Sequence, residues 1–273
     1  MDDATVDPEL DLDLDLDRAH SARVYDYFLG GVTNFPADRE AAAQAVMAFP
    51  SVLAAARINR RFVHRSTRRL AEQGIRQFLD IGTGIPTSPN VHEIAQSINP
   101  DSRVVYTDND PIVLAHARAL LRSHPDGATA YLHADARDPV ALLRHKTLEL
   151  LDFGRPVALS LNALLHFITD EQGAHAIVER LKDALPSGSA LTISHATPDF
   201  DPEATARLKA AYAAAGTPGQ ARTKEEFARF FTGWELVEPG IVPAHLWQPD
   251  PDDNAEHTTA AEAACYAAVA RKP

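Results

Sequence analysis

The chain has 273 residues, of which 45% are apolar, and its 26 basic and 38 acidic residues give a formal net charge of −12. This length supports one sizeable α/β core with an appendage. Neutralising a phosphate backbone needs a basic face, and anionic membranes attract basic segments, so the composition argues against nucleic-acid and membrane partners.

The single cysteine, Cys265, excludes an internal disulfide and a cysteine-based metal cluster. The N-terminus is acidic and lacks the basic-then-apolar order of a signal peptide. No apolar run approaches the roughly 18 residues that a membrane-spanning helix needs. The sequence therefore predicts a cytosolic protein.

The first part of the chain predicts an acidic, disordered lead-in over residues 1–17. Its "DLDLDLD" alternates with the period of a strand, but alternating aspartates repel one another and form strands poorly. Residues 18–74 predict an N-terminal helical cap of three segments, the last of which ends at Gly74, a typical C-terminal cap. The three segments read "AHSARVYDYFLGG", "ADREAAAQAVMAF" and "SVLAAARINRRFVHRSTRRLAEQG".

Residues 75–273 predict an α/β domain with insertions around 197–231 and 239–258. Strand-like and helix-like runs alternate, which indicates a mostly parallel sheet with helices on both faces. The last strand is expected to be antiparallel. Predicted strands cover 76–81, 103–107, 129–134, 156–162 and 189–196, followed by "WELVEPG" and "CYAAVARK"; predicted helices cover 88–98, 111–122, 138–146, 170–185, 201–214 and 223–231.

A glycine-rich turn follows the first predicted strand, in "RQFLDIGTGIPTSPNVHEIA". Gly82 and Gly84 allow a tight turn and leave room for a ligand where a Cβ would collide. Ser88 and Pro89 then predict a helix start, as N-cap and first helical residue. The dinucleotide-binding fingerprint requires a third glycine at position 87, which is threonine in this chain, so the turn does not match that fingerprint.

Three acidic residues follow neighbouring predicted strands at intervals of about one β-α unit: Asp80, Asp108 and Asp135. Parallel strands present such residues at one edge of the sheet, where open α/β sheets bind ligands. Asp108 is placed to accept from ribose hydroxyls and Asp135 from an exocyclic amine. A single such aspartate is usually a turn former, as we expect for Asp110. The three aspartates together favour S-adenosylmethionine as the ligand over NAD, because the negatively charged phosphates of NAD would lie near Asp80.

At these residues the chain resembles a class I S-adenosylmethionine-dependent methyltransferase with a Rossmann-like sheet. More narrowly, it resembles a bacterial S-adenosyl methyltransferase family first catalogued as a domain of unknown function. The segments that carry the resemblance are "ARVYDYFLGGVTNFPADRE", "ARINRRFVHRSTRRLAEQGIRQFLDIGTGIPTSPNVHEIAQ", "VVYTDNDPIVLAHARALL", "ADARDP" and "ARKP". By position, the resemblance implies that the methionine end is held by Asp80, Gly82, Thr83 and Gly84, the ribose by Asp108 and Asn109, and the adenine by Asp135 and Ala136. The resemblance implies no particular methyl acceptor.

Methyl transfer requires an aligned acceptor, exclusion of water and, for a weak nucleophile, a base. In "SLNALLHFITD", Asn162 could face the ligand and His166 could be the base. Alternatively, His166 packs between its apolar neighbours; His195 has a weaker claim. The Asn/Asp-Pro-Pro-aromatic signature of base N-methylation is absent, and the twelve histidines show no metal-ligand spacing, so no metal site is predicted.

The cap sequence is unusually rich in polar and aromatic residues. Tyr25 and Arg60 could reach the methionine carboxylate or the acceptor, and arginine suits a carboxylate by bidentate pairing. Alternatively, Tyr25 and Phe28 hold the cap to the sheet. The sequence thus predicts a cytosolic methyltransferase that acts on a small-molecule acceptor. The alternatives are an S-adenosylmethionine-binding regulatory protein without turnover and an NAD-linked oxidoreductase.

Overall fold

A computed structural model describes residues 15–120 and 122–273. Most of the predicted disordered lead-in, residues 1–14, lies outside the described residues. The described chain begins with three helices, which correspond to the three predicted cap segments: α1 (Ser21–Phe28), α2 (Pro36–Ala48) and α3 (Val52–Glu72). Gly74 follows α3 with a φ of +91°, as expected of a helix-terminating glycine.

The rest of the chain is built on one mixed sheet in the order β3-β2-β1-β4-β5-β8-β6, with β7 also paired to β8. The first five strands are parallel, and β8 runs antiparallel to β5, β6 and β7. This confirms the predicted Rossmann-like sheet with an antiparallel last strand. The strands are β1 (Gln77–Ile81), β2 (Arg103–Asp108), β3 (Ala128–His133), β4 (Ala158–Asn162), β5 (Ala190–Ala196), β6 (Glu235–Leu236), β7 (Val242–Pro243) and β8 (Cys265–Arg271).

In the described part of the chain, seven further α-helices connect or follow the strands: α4 (Val91–Ile98), α5 (Pro111–Leu120), α6 (Pro139–Arg144), α7 (Ala174–Asp183), α8 (Pro202–Ala214), α9 (Lys224–Ala228) and α10 (Ala260–Ala263). The predicted start of α4 at Ser88 and Pro89 is wrong. The N-cap is Asn90, whose backbone N–H is bonded by the carboxylate of Glu93 in a capping box, so the preceding residues stay in the loop.

Apolar side chains form a core on each face of the sheet. Leu79, on one face of β1, packs in a cluster with α7, and Phe78, on the other, packs in a cluster with α3 and α4. A third cluster belongs to the cap, where Phe28 and Phe49 pack beside Leu208 of α8. The insertion that contains α8 therefore covers the cap.

Helix α3 is bound to both the sheet and the late insertion. The guanidinium of Arg65, 1% exposed, donates to the carbonyls of Trp247 (3.0 Å) and Ala244 (2.7 Å) and pairs with Asp253.

The boundary at residue 74 between cap and α/β domain stays a prediction. Within the described residues, no single helix has the length and apolarity to cross a membrane; α2 and α3 meet that test only as a pair bent by 103°.

Candidate active site

A cavity of about 230 Å³ lies at the carboxyl edge of the parallel strands, beneath the cap. Its walls come from α1, α3 and α8 and from the loops after β1, β2, β4 and β5. The structure brings together around it ten residues that the sequence singled out: Tyr25, Arg60, Asp80, Gly82, Thr83, Gly84, Asp108, Asn109, Asn162 and His166. Asp135 and Ala136, which are also described, are not among the lining residues.

The glycine turn is held against β2 by the backbone N–H groups of Gly82 and Thr83, which donate to the carbonyl of Thr107 (2.8 and 3.1 Å). Gly82 and Gly84 have φ values of +73° and +69°, a region that favours glycine. A Cβ on Gly82 would lie 2.7 Å from a methyl of Leu164, whereas one on Gly84 would meet no protein atom within 4 Å. The turn therefore leaves open space beside Gly84.

Asp108 fixes this turn. One carboxylate oxygen accepts from the N–H of Gly84 (2.8 Å) and the other from that of Asp110 (3.0 Å). Burial raises the pKa of Asp108, and these two backbone hydrogen bonds oppose the rise. Because each carboxylate oxygen has a second lone pair, both can still accept from a ligand hydroxyl.

Asp80 has fewer partners. Its side chain is 8% exposed, and burial raises its pKa to about 6, although a hydrogen bond with Thr83 and the charge of Arg60 oppose this. A buried carboxylate without a close cation is costly, and a cationic ligand relieves that cost. The site thus has a place for a positive group next to the glycine turn.

Arg60 connects α3 to the loop that follows the turn. Its Nη2 donates to the carbonyls of Thr87 and Pro89, the second at 2.9 Å. Its Nε is buried and has no partner among the described residues. One donor of the predicted carboxylate-binding arginine is therefore left without a partner among the described residues.

The hydroxyl of Tyr25 donates to the carbonyl of Ala56 (2.9 Å) and accepts from the amide of Asn59 (2.8 Å), while burial raises its pKa to about 12. The oxygen of Asn59 accepts in turn from Ser194 of β5 (2.5 Å), whose oxygen accepts from the N–H of Ala163 (2.9 Å). This polar chain joins α1, α3 and β5 along the cavity. Asn59 and Ser194 were not predicted as site residues; the polar side chain of Asn59 within the apolar face of α3 was the available signal.

Asn162 is the last residue of β4, and the oxygen of its side-chain amide has no partner among the described residues. Its Nδ2 donates to the hydroxyl oxygen of Thr192 (3.1 Å), because that hydroxyl donates its own hydrogen to Ser160 (3.2 Å). Its Oδ1 is buried and has no partner among the described residues. A ligand N–H or O–H would complete its hydrogen bonding.

His166 lines the cavity and also packs against Phe167, with 4.3 Å between ring centroids. Burial and the nearby charge of Arg222 lower its pKa to about 4, so the ring is neutral at pH 7. Its Nδ1 is buried without a partner among the described residues. Both predicted roles of His166, as a packed side chain and as a base, are compatible with this ring. It packs against Phe167, and its Nδ1 has no hydrogen-bond partner among the described residues.

His195 has no nitrogen left for chemistry. Its Nε2 lies 2.7 Å from Nη1 of Arg222, and because arginine only donates, Nε2 accepts and Nδ1 donates to the carbonyl of Ala196 (2.7 Å). Arg222 is fully buried and also pairs with Asp170. No local pattern marked Arg222, because its partners lie far from it in the chain, in the segment after β4 and in β5.

Asp135 lies beside the cavity. Burial raises its pKa, but hydrogen bonds and charge from Arg137 together with a hydrogen bond from Asn109 produce a net lowering. The Nε of Arg137 donates to both carboxylate oxygens (2.9 and 3.0 Å). The roles of Asp135 and Ala136 in adenine binding stay predictions.

The cap is joined to the end of β2 by a buried charge cluster. Arg23, 3% exposed, places Nε 3.1 Å from a carboxylate oxygen of Asp110 and 3.6 Å from one of Asp38. His20, which lines the cavity, lies 3.2 Å from Asp110. Asp110 also accepts from the N–H of Ile112 (2.9 Å), as expected of a turn former, but its pairing with the cap was not predicted.

Together these features fit a ligand with a cationic amino-acid end. Three residues that line the cavity each have a buried polar atom without a partner among the described residues: Arg60 Nε, Asn162 Oδ1 and His166 Nδ1. Asp80 provides the negative charge, and the space beside Gly84 is one that a Cβ would fill. S-adenosylmethionine has an ammonium group, a sulfonium and a carboxylate at that end, which match these groups in sign.

Comparison with known proteins decides the family. A family model described as S-adenosyl methyltransferase matches residues 8–273. The chain belongs to that family. A DUF574 family protein from Streptomyces avermitilis is 51% identical in sequence, with 95% of this chain and 100% of that chain covered and a TM-score of 0.92. A candidate methyltransferase from Thermobifida fusca is 41% identical, with 95% and 97% covered and a TM-score of 0.87. No curated protein gave a significant match.

The family membership confirms the predicted activity and cofactor. This member of the S-adenosyl methyltransferase family is an S-adenosylmethionine-dependent methyltransferase. Its fold is the predicted class I methyltransferase fold. The comparisons give no support to the alternative of a binding protein without turnover, and the NAD-linked oxidoreductase is set aside.

Proposed function

We propose that this enzyme transfers the methyl group of S-adenosylmethionine to a small molecule that binds in the cavity beneath the cap. The observation that carries the proposal is the continuity of this cavity, which extends from the glycine turn at Gly84 to the ring of His166. In this proposal, residues 18–74 form a cap over the domain of residues 75–273. We also place the enzyme in the cytosol, in keeping with the free thiol of Cys265.

In this proposal the cofactor is held along the sheet edge. Asp80, with Thr83, receives the ammonium group, Arg60 and Tyr25 lie near the methionine carboxylate, and Asn162 accepts a hydrogen bond with its free Oδ1. The remaining cofactor residues are Gly82 and Gly84 at the turn, Asp108 and Asn109 at the ribose, and Asp135 and Ala136 at the adenine. When bound, the cofactor would supply an electrophilic methyl carbon to the acceptor atom and a neutral thioether as the leaving group.

The protein's own part in the transfer is alignment, exclusion of water and acceptance of a proton. Leu164, which contacts the glycine turn, and Phe167 keep the region around the acceptor apolar. His166 takes the acceptor proton at an unpaired nitrogen. Because burial and Arg222 lower its pKa to about 4, it is a weak base. A weak base suffices here, since an acceptor O–H becomes strongly acidic as its oxygen bonds the methyl carbon.

Cofactor binding tests the first half of the proposal. Asp108→Ala removes a buried charged hydrogen-bond partner and should weaken S-adenosylhomocysteine binding by about 1.5–3 kcal/mol in isothermal titration calorimetry. Asp138→Ala is the matched control, because Asp138 caps α6 with the same kind of backbone bond outside the cavity lining. Equal affinity in wild type and Asp108→Ala, or a preference for NAD, would contradict the assignment of the site.

The size class of the acceptor can be tested without knowing its identity. The enzyme is incubated with methyl-labelled S-adenosylmethionine and a cell extract that has been divided by ultrafiltration into small and large molecules. We expect enzyme-dependent label in the small-molecule fraction, and none with heat-inactivated enzyme. Label transferred to protein or nucleic acid instead would overturn the small-molecule proposal.

A further inference from the structure

One part of the cavity, where residues of the cap meet α8, has mainly apolar walls. The cap contributes Phe28, Phe49 and Val52, α8 contributes Leu208 and Tyr212, and the loop after β4 contributes Phe167. We call these six residues the acceptor chamber. The rings of Phe167 and Tyr212 lie edge to face, with 5.6 Å between their centroids, so aromatic groups from the loop after β4 and from α8 meet at the chamber.

The acceptor chamber contains no charged side chain, and the charged residues elsewhere on the cavity wall are already placed. Asp80 and Asp108 belong to the glycine turn, and Arg60 bonds the loop carbonyls that follow it. Lys209 lines the cavity from α8 but is exposed, so water screens its charge. An ionised acceptor would therefore lose its hydration in the chamber without a counter-charge. The charges favour a neutral acceptor.

His166 lines the cavity beside Phe167 of the chamber and has one unpaired ring nitrogen. The ring is neutral, and its Nδ1 is buried next to Phe167, without a partner among the described residues. A neutral imidazole nitrogen either accepts or donates, depending on the tautomer. A hydroxyl group satisfies both cases, because it donates one hydrogen bond and accepts others. A ketone or an ether would satisfy only one.

We infer that the acceptor is an uncharged phenol, whose aromatic ring lies in the acceptor chamber and whose hydroxyl pairs with the imidazole of His166. Four of the six chamber residues are aromatic, and aromatic pairs in edge-to-face contact are favoured beyond the area that they bury. Phenols ionise near pH 10, as tyrosine does, and so enter the chamber neutral at pH 7. This inference rests on the proposed function, since it names the class of molecule that the same site methylates.

Direct binding of three probes of equal ring size tests the inference: 2-naphthol, 2-naphthoate and 2-naphthylmethylamine. Each is titrated by calorimetry into the wild-type enzyme saturated with S-adenosylhomocysteine. We expect 2-naphthol to bind at least tenfold more tightly than the anionic and cationic probes. The inference is overturned if a charged probe binds as tightly as 2-naphthol or more so, or if 2-naphthol does not bind at all.

Two variants locate the probe. Leu208→Trp fills the chamber and should abolish 2-naphthol binding while the affinity for S-adenosylhomocysteine is retained; Leu236→Trp, at a 44% exposed position, is the control. His166→Phe should weaken 2-naphthol about tenfold but leave 2-methoxynaphthalene, which has no hydroxyl, unaffected. If both ligands weaken equally, His166 does not pair with the hydroxyl.

The two failures are distinguishable. If S-adenosylhomocysteine itself does not bind, the proposed function fails and the phenol inference fails with it. If S-adenosylhomocysteine binds and 2-naphthol does not, only the phenol inference fails and the methyltransferase site stands.

Discussion

Asp80 and Asp108 show how two buried carboxylates at one sheet edge differ through their partners. Asp108 accepts from two backbone N–H groups and so holds the fold of the glycine turn. Asp80 has one hydrogen bond with Thr83 and the more distant charge of Arg60, and burial raises its pKa to about 6. The charge of Asp80 is therefore the one left for a cationic ligand.

This difference predicts how cofactor affinity depends on pH. The ammonium group of S-adenosylhomocysteine favours ionised Asp80, so the pKa of Asp80 in the complex lies below its value of about 6 in the free protein. Below pH 6 the free protein holds a proton that binding must release. Affinity should thus fall as the pH is lowered from 7 to 5, by up to about tenfold per pH unit.

Calorimetry between pH 5 and 8, in two buffers of different ionisation enthalpy, measures both the affinity and the proton released. Asp80→Asn is the matched variant, since it keeps the volume and loses the titrating group. We expect it to bind weakly and without this pH dependence. A wild-type affinity that stays constant from pH 7 to pH 5 would exclude Asp80 as the partner of the ammonium.

Arg222 is a buried cation with a purely structural set of contacts. It donates to the carbonyls of Leu165 and Ile168 (both 2.9 Å), to Asp170 and to His195. Arg222→Met leaves these acceptors unpaired and should lower the free energy of unfolding by about 3–5 kcal/mol in urea denaturation. Arg229→Met, the same change at an exposed site, should alter it by only about 0.5 kcal/mol. Comparable losses in the two variants would show that the Arg222 contacts do not stabilise the fold.

At the scale of elements, glycine in the turn after β1 has two functions: it adopts a positive φ, and it leaves space for a ligand. A comparison of Gly84 with Gly74 distinguishes these functions. Both residues have positive φ values, and a Cβ on either would lie more than 4 Å from other protein atoms. Gly84 lines the cavity and Gly74 follows α3 outside it. The pair therefore provides a matched comparison.

We expect Gly84→Ala and Gly74→Ala each to lower the free energy of unfolding by about 1–2 kcal/mol, the cost of a left-handed residue. Only Gly84→Ala should also weaken S-adenosylhomocysteine, by at least tenfold, since its Cβ enters the ligand space. Chemical denaturation and calorimetry measure the two effects. Unchanged cofactor affinity in Gly84→Ala would place the ligand away from the turn.

The elements that the sequence predicted well are those with a strong local pattern. The first five strands and the cap helices lie within a few residues of their predicted bounds, because apolar periodicity and glycine or proline punctuation mark them. The start of α4 was displaced, since the Asn90–Glu93 capping box outweighs Ser88 and Pro89. The two-residue β7 was missed in the Pro-rich stretch, because it exists only through pairing with β8.

The candidate site divides in the same way. Asp80 and Asp108 could be found from their positions after strands, and the structure places both at one cavity. The pairing of Asn59 with Ser194 could not, because that hydrogen bond joins residues 135 positions apart. Nor could the link between His20 and Asp110, which depends on where the cap docks. Local pattern thus predicts residues that a strand presents, and misses those that tertiary packing brings together.

At the scale of the whole molecule, the cap and the sheet are connected by buried polar contacts at separate places. Asn59 bonds Ser194 of β5, Arg65 bonds the carbonyl of Trp247, and Arg23 pairs with Asp110 after β2. Separating the two parts would leave each of these buried groups without its partner, which costs more than a surface contact. The contacts therefore favour joint unfolding of residues 18–74 and 75–273.

We accordingly predict one cooperative thermal transition that the cofactor shifts as a whole. S-adenosylhomocysteine at 100 times its Kd should stabilise the protein by about 2.7 kcal/mol and raise Tm by about 5–10 °C. Helix content is followed by circular dichroism, and the contact of α3 with the late insertion by the fluorescence of Trp247, whose ring packs on Phe62 at 5.4 Å. Trp234→Phe removes the second tryptophan, so that the emission reports Trp247. We expect the unfolding curves from circular dichroism and from fluorescence to coincide and to shift together to higher temperature with the ligand. If the two curves have different midpoints and only one shifts, the cap unfolds independently, and its contacts with the sheet do not couple it to the cofactor.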